Sequence, residues 1–411
     1  MHINTRNSLV IVLLLSIETM GFAFIAPVFT PLLLNTPILT SMHGTFGHIL
    51  VLGLLNAVYP FCMFIATPIL GTLSDSWGRK PTFFLSLLGT AIGYLLTGLG
   101  ILTHQVLLAL LGRAIDGLTA GSIPIAQASM ADMSTNHLNR IKLMGLTVLG
   151  FSGGQTLGPL LGGILSDSQL SVHFTYQLPF YIVTALSLIN IFCLWVGFKE
   201  PKKTHVASTL SLLSTIKKRY IALITTPGLR LFSFALLMHQ LAIALYMQAM
   251  VILLDTHYHF SGIMISYYAA FAGVVMAISV SFILPWLAKR IADKKLIILL
   301  FSCQSLAIFI SGLNHIVAIF WFTLALVIFG TSQSYSLFLS FFSQAKSASL
   351  HGWLLGVSAA IVGLGWAISG VLSGILPELG GLITPLWVAC GFSVCGVFAL
   401  IYKFSIKHPA T

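Results

Sequence analysis

A helix needs roughly 20 consecutive apolar residues to cross the hydrocarbon core of a bilayer, and this sequence supplies such a run again and again along its length. The runs stand at about 8–34, 47–70, 82–102, 105–131, 141–165 and 176–198. After a polar gap they resume at about 229–254, 262–288, 296–313, 316–342, 352–376 and 383–404. Charged residues make up 7% of the 411 and hydrophobic ones 57%, which leaves too little polar surface to solvate a globule of this size. The fold class that follows is an all-α membrane protein with twelve transmembrane helices. The first run is too long for a cleaved leader and no small-residue cleavage site stands after it, so it is expected to remain as the first span.

The net charge of +11 gains its meaning from where the bases fall. Arg6, Arg79, Lys80, Arg140, Lys142, the cluster from Lys199 to Arg230, Lys289, Arg290, Lys294, Lys295, Lys346, Lys403 and Lys407 all lie at alternate ends of the runs, and the opposite loops carry no Lys or Arg. Basic loops are retained in the cytoplasm, so both termini are expected there. The positive charge is thus a topology signal, and the expected surroundings are a lipid bilayer with no nucleic acid. The five cysteines sit in apolar runs without metal-ligand spacing and read as small core residues.

The polar gap splits the chain into residues 1–198, a cytoplasmic linker at 199–228, and residues 229–411. Within the linker, LSLLSTIKKRYIAL suits either a short helix on an anionic membrane surface or a solvated connection. A constant offset relates the halves. Gly145, Gly154, Gly163, Ile164 and Leu165 meet Gly356, Gly365, Gly374, Ile375 and Leu376, and Arg79 meets Arg290. A duplicated six-helix bundle accounts for the span count, the midpoint linker and the offset together.

GTLSDSWGRKP, from Gly71 to Pro81, is a compact polar island between the second and third runs. Gly71 and Gly78 would permit close approach and a tight turn, Arg79 and Lys80 would anchor the cytoplasmic end, and Asp75 would latch a neighbouring helix end. The island resembles the G-x-L-x-D-x-x-G-R-K pattern of the major facilitator superfamily at Gly71, Leu73, Asp75, Gly78, Arg79 and Lys80. In the second half Trp286 stands where Asp75 would map, which implies a weaker or different latch. The fifth run, GLTVLGFSGGQTLGPLLGG, puts Gly150, Gly154, Gly158 and Gly162 on one helix face. It is similar to the antiporter pattern of the superfamily's drug–proton exporters at Gly145, Gly154, Gly158, Pro159, Gly162 and Gly163. ETMGFAFIAPVFTP in the first run resembles tetracycline-type exporters, with Glu18 for the usual Asp, and LLGRAIDGLTAG in the fourth carries Arg113 and Asp116 at the family's polar positions. Gly93 stands where tetracycline exporters carry an acid, which points to a different solute.

An ionised side chain near mid-bilayer costs on the order of 3 kcal/mol on insertion scales, so Glu18, Arg113 and Asp116 each need a partner or a task. Arg113 and Asp116, three residues apart, share a helix face and can form a static pair. Glu18 is then left over, and hydrocarbon disfavours a lone charge, so it is the expected proton carrier, tuned by the other two. His239 lies near the corresponding place in the second half and can either titrate or simply be hydrogen-bonded. Asn56, Tyr59, Gln155, Gln240, Tyr267, Gln333, Tyr335 and Trp366 are the remaining cavity candidates, suited to an amphipathic solute.

Ser152 in Gly150-Phe-Ser-Gly-Gly154 matches the form of a nucleophile elbow, which would make an intramembrane hydrolase, but the elbow needs a strand-to-helix turn and this serine lies in a long apolar run. Asp255, His257 and His259 read as an exposed loop before a metal trio. No P-loop, nucleotide or haem motif is present, so no cofactor, resident metal or enzymatic activity is expected. The resemblance implies a monomeric secondary transporter in a bacterial inner membrane. It would export a small-molecule substrate against protons by rocking its two bundles, with a proton-coupled uptake symporter for a nutrient or metal chelate as the alternative.

Overall fold

A backbone in lipid must satisfy its own polar groups, and helices do so within each span. The computed structural model describes residues 3–35, 45–134, 137–200, 227–343 and 348–405, and no strand occurs among them. Span one comprises α1 (Ile3–Ala23) and α2 (Ile25–Asn35), span two α3 (Thr45–Ser76), and span three α4 (Arg79–Leu102). Span four is α5 (Val106–Thr119) with α6 (Ser122–Asp132), span five α7 (His137–Ser166), and span six α8 (Leu178–Gly197). Span seven is α9 (Pro227–Thr256). Span eight runs through α10 (Gly262–Ile278), a π-helical turn (Ser279–Ile283) and α11 (Leu284–Ala288). Spans nine to twelve are α12 (Asp293–Leu313), α13 (Val317–Ser343), α14 (Ala348–Gly380) and α15 (Thr384–Ser405).

Eleven of these spans are long and apolar enough to cross a membrane by length and composition among the described residues. Span five is the twelfth: it is 30 residues long, and its glycines, Gln155 and hydroxyl groups dilute its hydropathy. Most of the expected linker, including LSLLSTIKKRYIAL, lies outside the described residues.

Prolines set the breaks. Pro27 offers no N–H to Ala23 and Pro124 none to Ala120, and α1 and α5 end at or just before those carbonyls. The Ala120 carbonyl accepts instead from the Thr67 hydroxyl of span two at 3.2 Å. In span eight the helix slips by one residue ahead of Pro285, with Leu284 N donating to the Ser279 carbonyl in π register.

The pairing of spans repeats. Span one packs on five and six as seven packs on eleven and twelve, and three packs on four and six as nine packs on ten and twelve. The glycines of the sequence repeat share these tasks. Gly154 closes on Ser16, Thr19 and Met20 of span one, and Gly365 on Gln240 and Leu241 of span seven. Gly163 closes on Ser266 of span eight, and Gly374 on Ile49 and Gly53 of span two. The halves are therefore two pseudo-symmetric six-helix bundles, joined along spans two and eleven and along five and eight.

These junctions lie away from the basic ends. Gly53 and Ala57 meet Gly370, and Gly262 faces Pro27 and Pro31. Past Ile278, span eight turns to its own half, where the π turn packs on span ten and α11 on span nine. The cysteines depart from expectation. All five are free, but none is fully buried and Cys395 is exposed, because they sit on partly uncovered faces of apolar helices.

Candidate functional site

Glu18, Arg113 and Asp116 come together inside the first bundle, 7%, 1% and 3% exposed. Arg113 Nη1 donates to Asp116 Oδ2 at 3.2 Å, one helical turn away. Two hydroxyl groups of span three, Thr90 and Tyr94, also donate to the Asp116 carboxylate. Arg113 lies over the Tyr59 ring of span two, its Cζ 4.6 Å from the centroid. The Asp116 carboxylate is thus supplied with its own donors, while Arg113 has the Tyr59 face and keeps a buried Nε without a hydrogen-bond partner.

Glu18 is held differently. It shares a hydrogen bond with Ser122, the first residue of α6, placed there by the break that Pro124 imposes. Ser122 Oγ lies 2.7 Å from Ser86 Oγ of span three. Glu18 Oε2 is buried without a hydrogen-bond partner. A buried carboxylate oxygen with no donor is costly, whereas a protonated carboxyl removes the charge.

The glycine stripe of span five positions this acid. A Cβ at Gly154 would lie 2.7 Å from Met20 N, and Gly158 closes on the Met20 carbonyl. Ser16 Oγ donates to the Gly150 carbonyl at 3.1 Å, and Thr19 Oγ1 reaches the Phe151 carbonyl at 3.2 Å. Gly162 faces Phe24 and Gly163 faces span eight, while Gly145 has open space around it. Pro159 lies buried within α7. Ser152 is mid-helix with its hydroxyl on the Val148 carbonyl at 2.8 Å, so it forms no strand-to-helix elbow.

The cavity candidates separate into groups. Phe22 of span one contacts both Tyr59 at 5.5 Å and Trp366 of span eleven at 5.3 Å, an aromatic bridge between the bundles beside Arg113. Asn56 and Gln155 are half-buried, Gln155 on the span five–eight junction. Gln240 abuts Gly365, and Tyr335 bonds to Ser358 within the second half. Gln333 is fully buried with neither side-chain polar atom partnered, and Tyr267 is 51% exposed near the outer end of span eight. His239 precedes Gln240 as Glu18 precedes Thr19. Its ring is fully buried between Phe301 and Phe338, with centroids at 5.0 and 5.6 Å, and Nε2 is unpartnered.

At the basic end, Arg79 is the hub of the polar island. It pairs with Asp75 at 2.9 Å and with Asp132 at the end of span four at 3.0 Å, and donates to Ser74. Gly78 has φ 111°, a conformation that favours glycine, but Gly71 lies within α3 with nothing near it and serves no close approach. The anion at the start of span three is Glu200, whose carboxylate accepts from the backbone N–H groups of Arg79 and Lys80. Lys80 Nζ bonds to the Trp195 carbonyl at 2.8 Å. Sequence reasoning missed Glu200, because its partners are 120 residues away. In the second half Arg290 lies over Trp286 at 4.1 Å, so an aromatic face replaces the carboxylate. His257 and His259 are exposed while Asp255 is buried, and no metal-ligating group of three occurs among the described residues.

The sequence profile of the Major Facilitator Superfamily matches residues 11–357. The chain belongs to this superfamily. It is a multi-pass integral membrane protein and a transporter rather than an enzyme. It is similar to the class B tetracycline resistance protein of Escherichia coli, 26% identical over 311 residues, which is 75% of this chain and 72% of the relative. The major facilitator fold is shared with a human organic anion transporter (TM-score 0.75, 18% identity, 97% and 100% of the two chains). A D-xylose–proton symporter shares it too (0.73, 13%, 97% and 98%).

Proposed function

We propose that the chain is a monomeric proton-coupled exporter of a small amphipathic solute, embedded in a bacterial inner membrane with both termini cytoplasmic. The observation that carries this reading is Glu18 Oε2, buried and unpartnered, in the same bundle as an Asp116 carboxylate that already has Arg113, Thr90 and Tyr94 as donors. Glu18 takes up and releases the proton, Arg113 and Asp116 set the field around it, and Ser122 orients it. His239 occupies the matching place in the other half as a second proton-sensitive position. The Phe22, Tyr59 and Trp366 rings favour a solute with a planar apolar face, and the likeness to a tetracycline resistance protein supports a drug-like one. The basic ends face the cytoplasm, and the bundles are closed at the opposite side. Residues 1–198 and 229–411 act as the two rocking bodies joined by the linker.

The test is reconstitution of the purified protein in liposomes with an internal pH dye and a panel of lipophilic cations, antibiotics and metal chelates. Solute-triggered proton movement opposite to the solute, lost in Glu18→Gln, is the expected result. Proton movement in the same direction as the solute would make the protein an uptake symporter. Unchanged coupling in the variant would remove Glu18 from the mechanism.

A further inference from the structure

The turn between spans eight and nine is the counterpart of the one that holds Arg79, yet its charges are treated in the opposite way. In the first half both bases are consumed within the bundle, Arg79 by Asp75 and Asp132 and Lys80 by the Trp195 carbonyl. In the second half Lys289, Arg290, Lys294 and Lys295 are all exposed, and one acid, Asp293, lies among them. Arg290 rests on Trp286, and Lys294 Nζ lies 5.7 Å from the Phe404 ring centroid. Among the described residues none of the four makes an ion pair.

An open, shallow surface groove begins at this level on the outer face of span nine, lined by Ile291, Lys295, Ile298, Leu299 and Ser302. From Lys295 to Ser302 it extends about 10 Å along the helix, at about 1.5 Å per residue. Trp286 and Phe282 of span eight are exposed too, at 52% and 73%. A soluble anion would use the bases and leave the groove empty, and a neutral lipid would use the groove and leave the charge uncompensated.

We propose that this groove binds one anionic phospholipid. The phosphate is held by Lys295 with Lys289, Arg290 and Lys294, and an acyl chain lies along Ile298 and Leu299. The site differs from the Glu18 site in place and in ligand, and binding can be read without transport.

The test is native mass spectrometry of the detergent-purified full chain, titrated with phosphatidylglycerol or with phosphatidylcholine of the same acyl chains. One phosphatidylglycerol should be retained at about tenfold lower concentration than phosphatidylcholine. Replacing Lys289, Arg290, Lys294 and Lys295 together by Gln should abolish that preference, and Lys295→Gln alone should reduce it. Leu299→Trp, which fills the groove and leaves every charge in place, should weaken phosphatidylglycerol retention at least about fivefold. Lys199→Gln, an exposed base at the same end of the molecule, should change nothing. Equal retention of the two lipids, wild-type retention by the quadruple or the Leu299→Trp variant, or an equal loss in Lys199→Gln would overturn the proposal.

Discussion

The two carboxyl groups buried in the first bundle, Glu18 and Asp116, have different surroundings, and the difference predicts different mutant behaviour. Asp116→Asn removes the charge partner of Arg113, a side chain 1% exposed, and should cost about 3–5 kcal/mol, because it strands a buried cation. Thermal unfolding in detergent should show this as a clear drop in midpoint. Glu18→Gln keeps the hydrogen bond to Ser122 without a charge, so its midpoint should stay near wild type while coupling is lost. Equal destabilisation by the two variants would mean that Glu18 is a structural partner of Arg113. Glu18, Arg113 and Asp116 were legible in the sequence because a charge inside an apolar run is conspicuous. Thr90, Tyr94 and Ser122 were not, because hydroxyl groups in such helices often bond their own backbone, as Thr97 does to the Gly93 carbonyl at 2.7 Å.

At the scale of the element, span five is the scaffold against which span one holds its acid. Gly154→Leu would force a side chain into the Ser16 and Met20 backbone, so it should displace Glu18 and abolish solute-driven proton movement in liposomes. Gly153→Ala is the control. Its Cβ would have only Ser16 Oγ nearby, at 3.9 Å, and transport should be retained. Equal loss in both would show that the whole run, and not this face, is needed. The four-residue spacing made the stripe visible in the sequence, but its partner could only be found in three dimensions. Span four teaches the converse lesson. The fourth run reads as one unbroken span in the sequence, and only the fold shows its break ahead of Pro124, which brings Thr67 to the freed Ala120 carbonyl and Ser122 to Glu18.

For the whole molecule, the bundles meet where Ile49 and Gly53 touch Gly374, remote from the basic ends. Asp75 here pairs with Arg79 of its own turn and is 68% exposed. On the proposed cycle, opening this junction accompanies closure at the basic end, where Asp75 would latch a neighbouring helix end. A cysteine at Ile49, 3% exposed, should therefore resist a membrane-impermeant thiol reagent at rest and label at least several-fold faster when solute and a proton gradient drive turnover. Asp75→Asn should reduce that acceleration. Labelling unaffected by Asp75→Asn would exclude the latch.

By itself the sequence determined how many times the chain crosses the membrane, which ends carry its charge, that its halves are copies, and which three buried charges need a task. All of these are local patterns of composition and spacing, and the bilayer enforces them residue by residue. Only the tertiary structure decided that Asp116 is satisfied while Glu18 is not, that Glu200 caps the start of span three, and that the second-half bases are left facing outward. Such differences depend on which groups from distant parts of the chain arrive within about 3 Å of one another, and hydrogen bonds and charges act at that range.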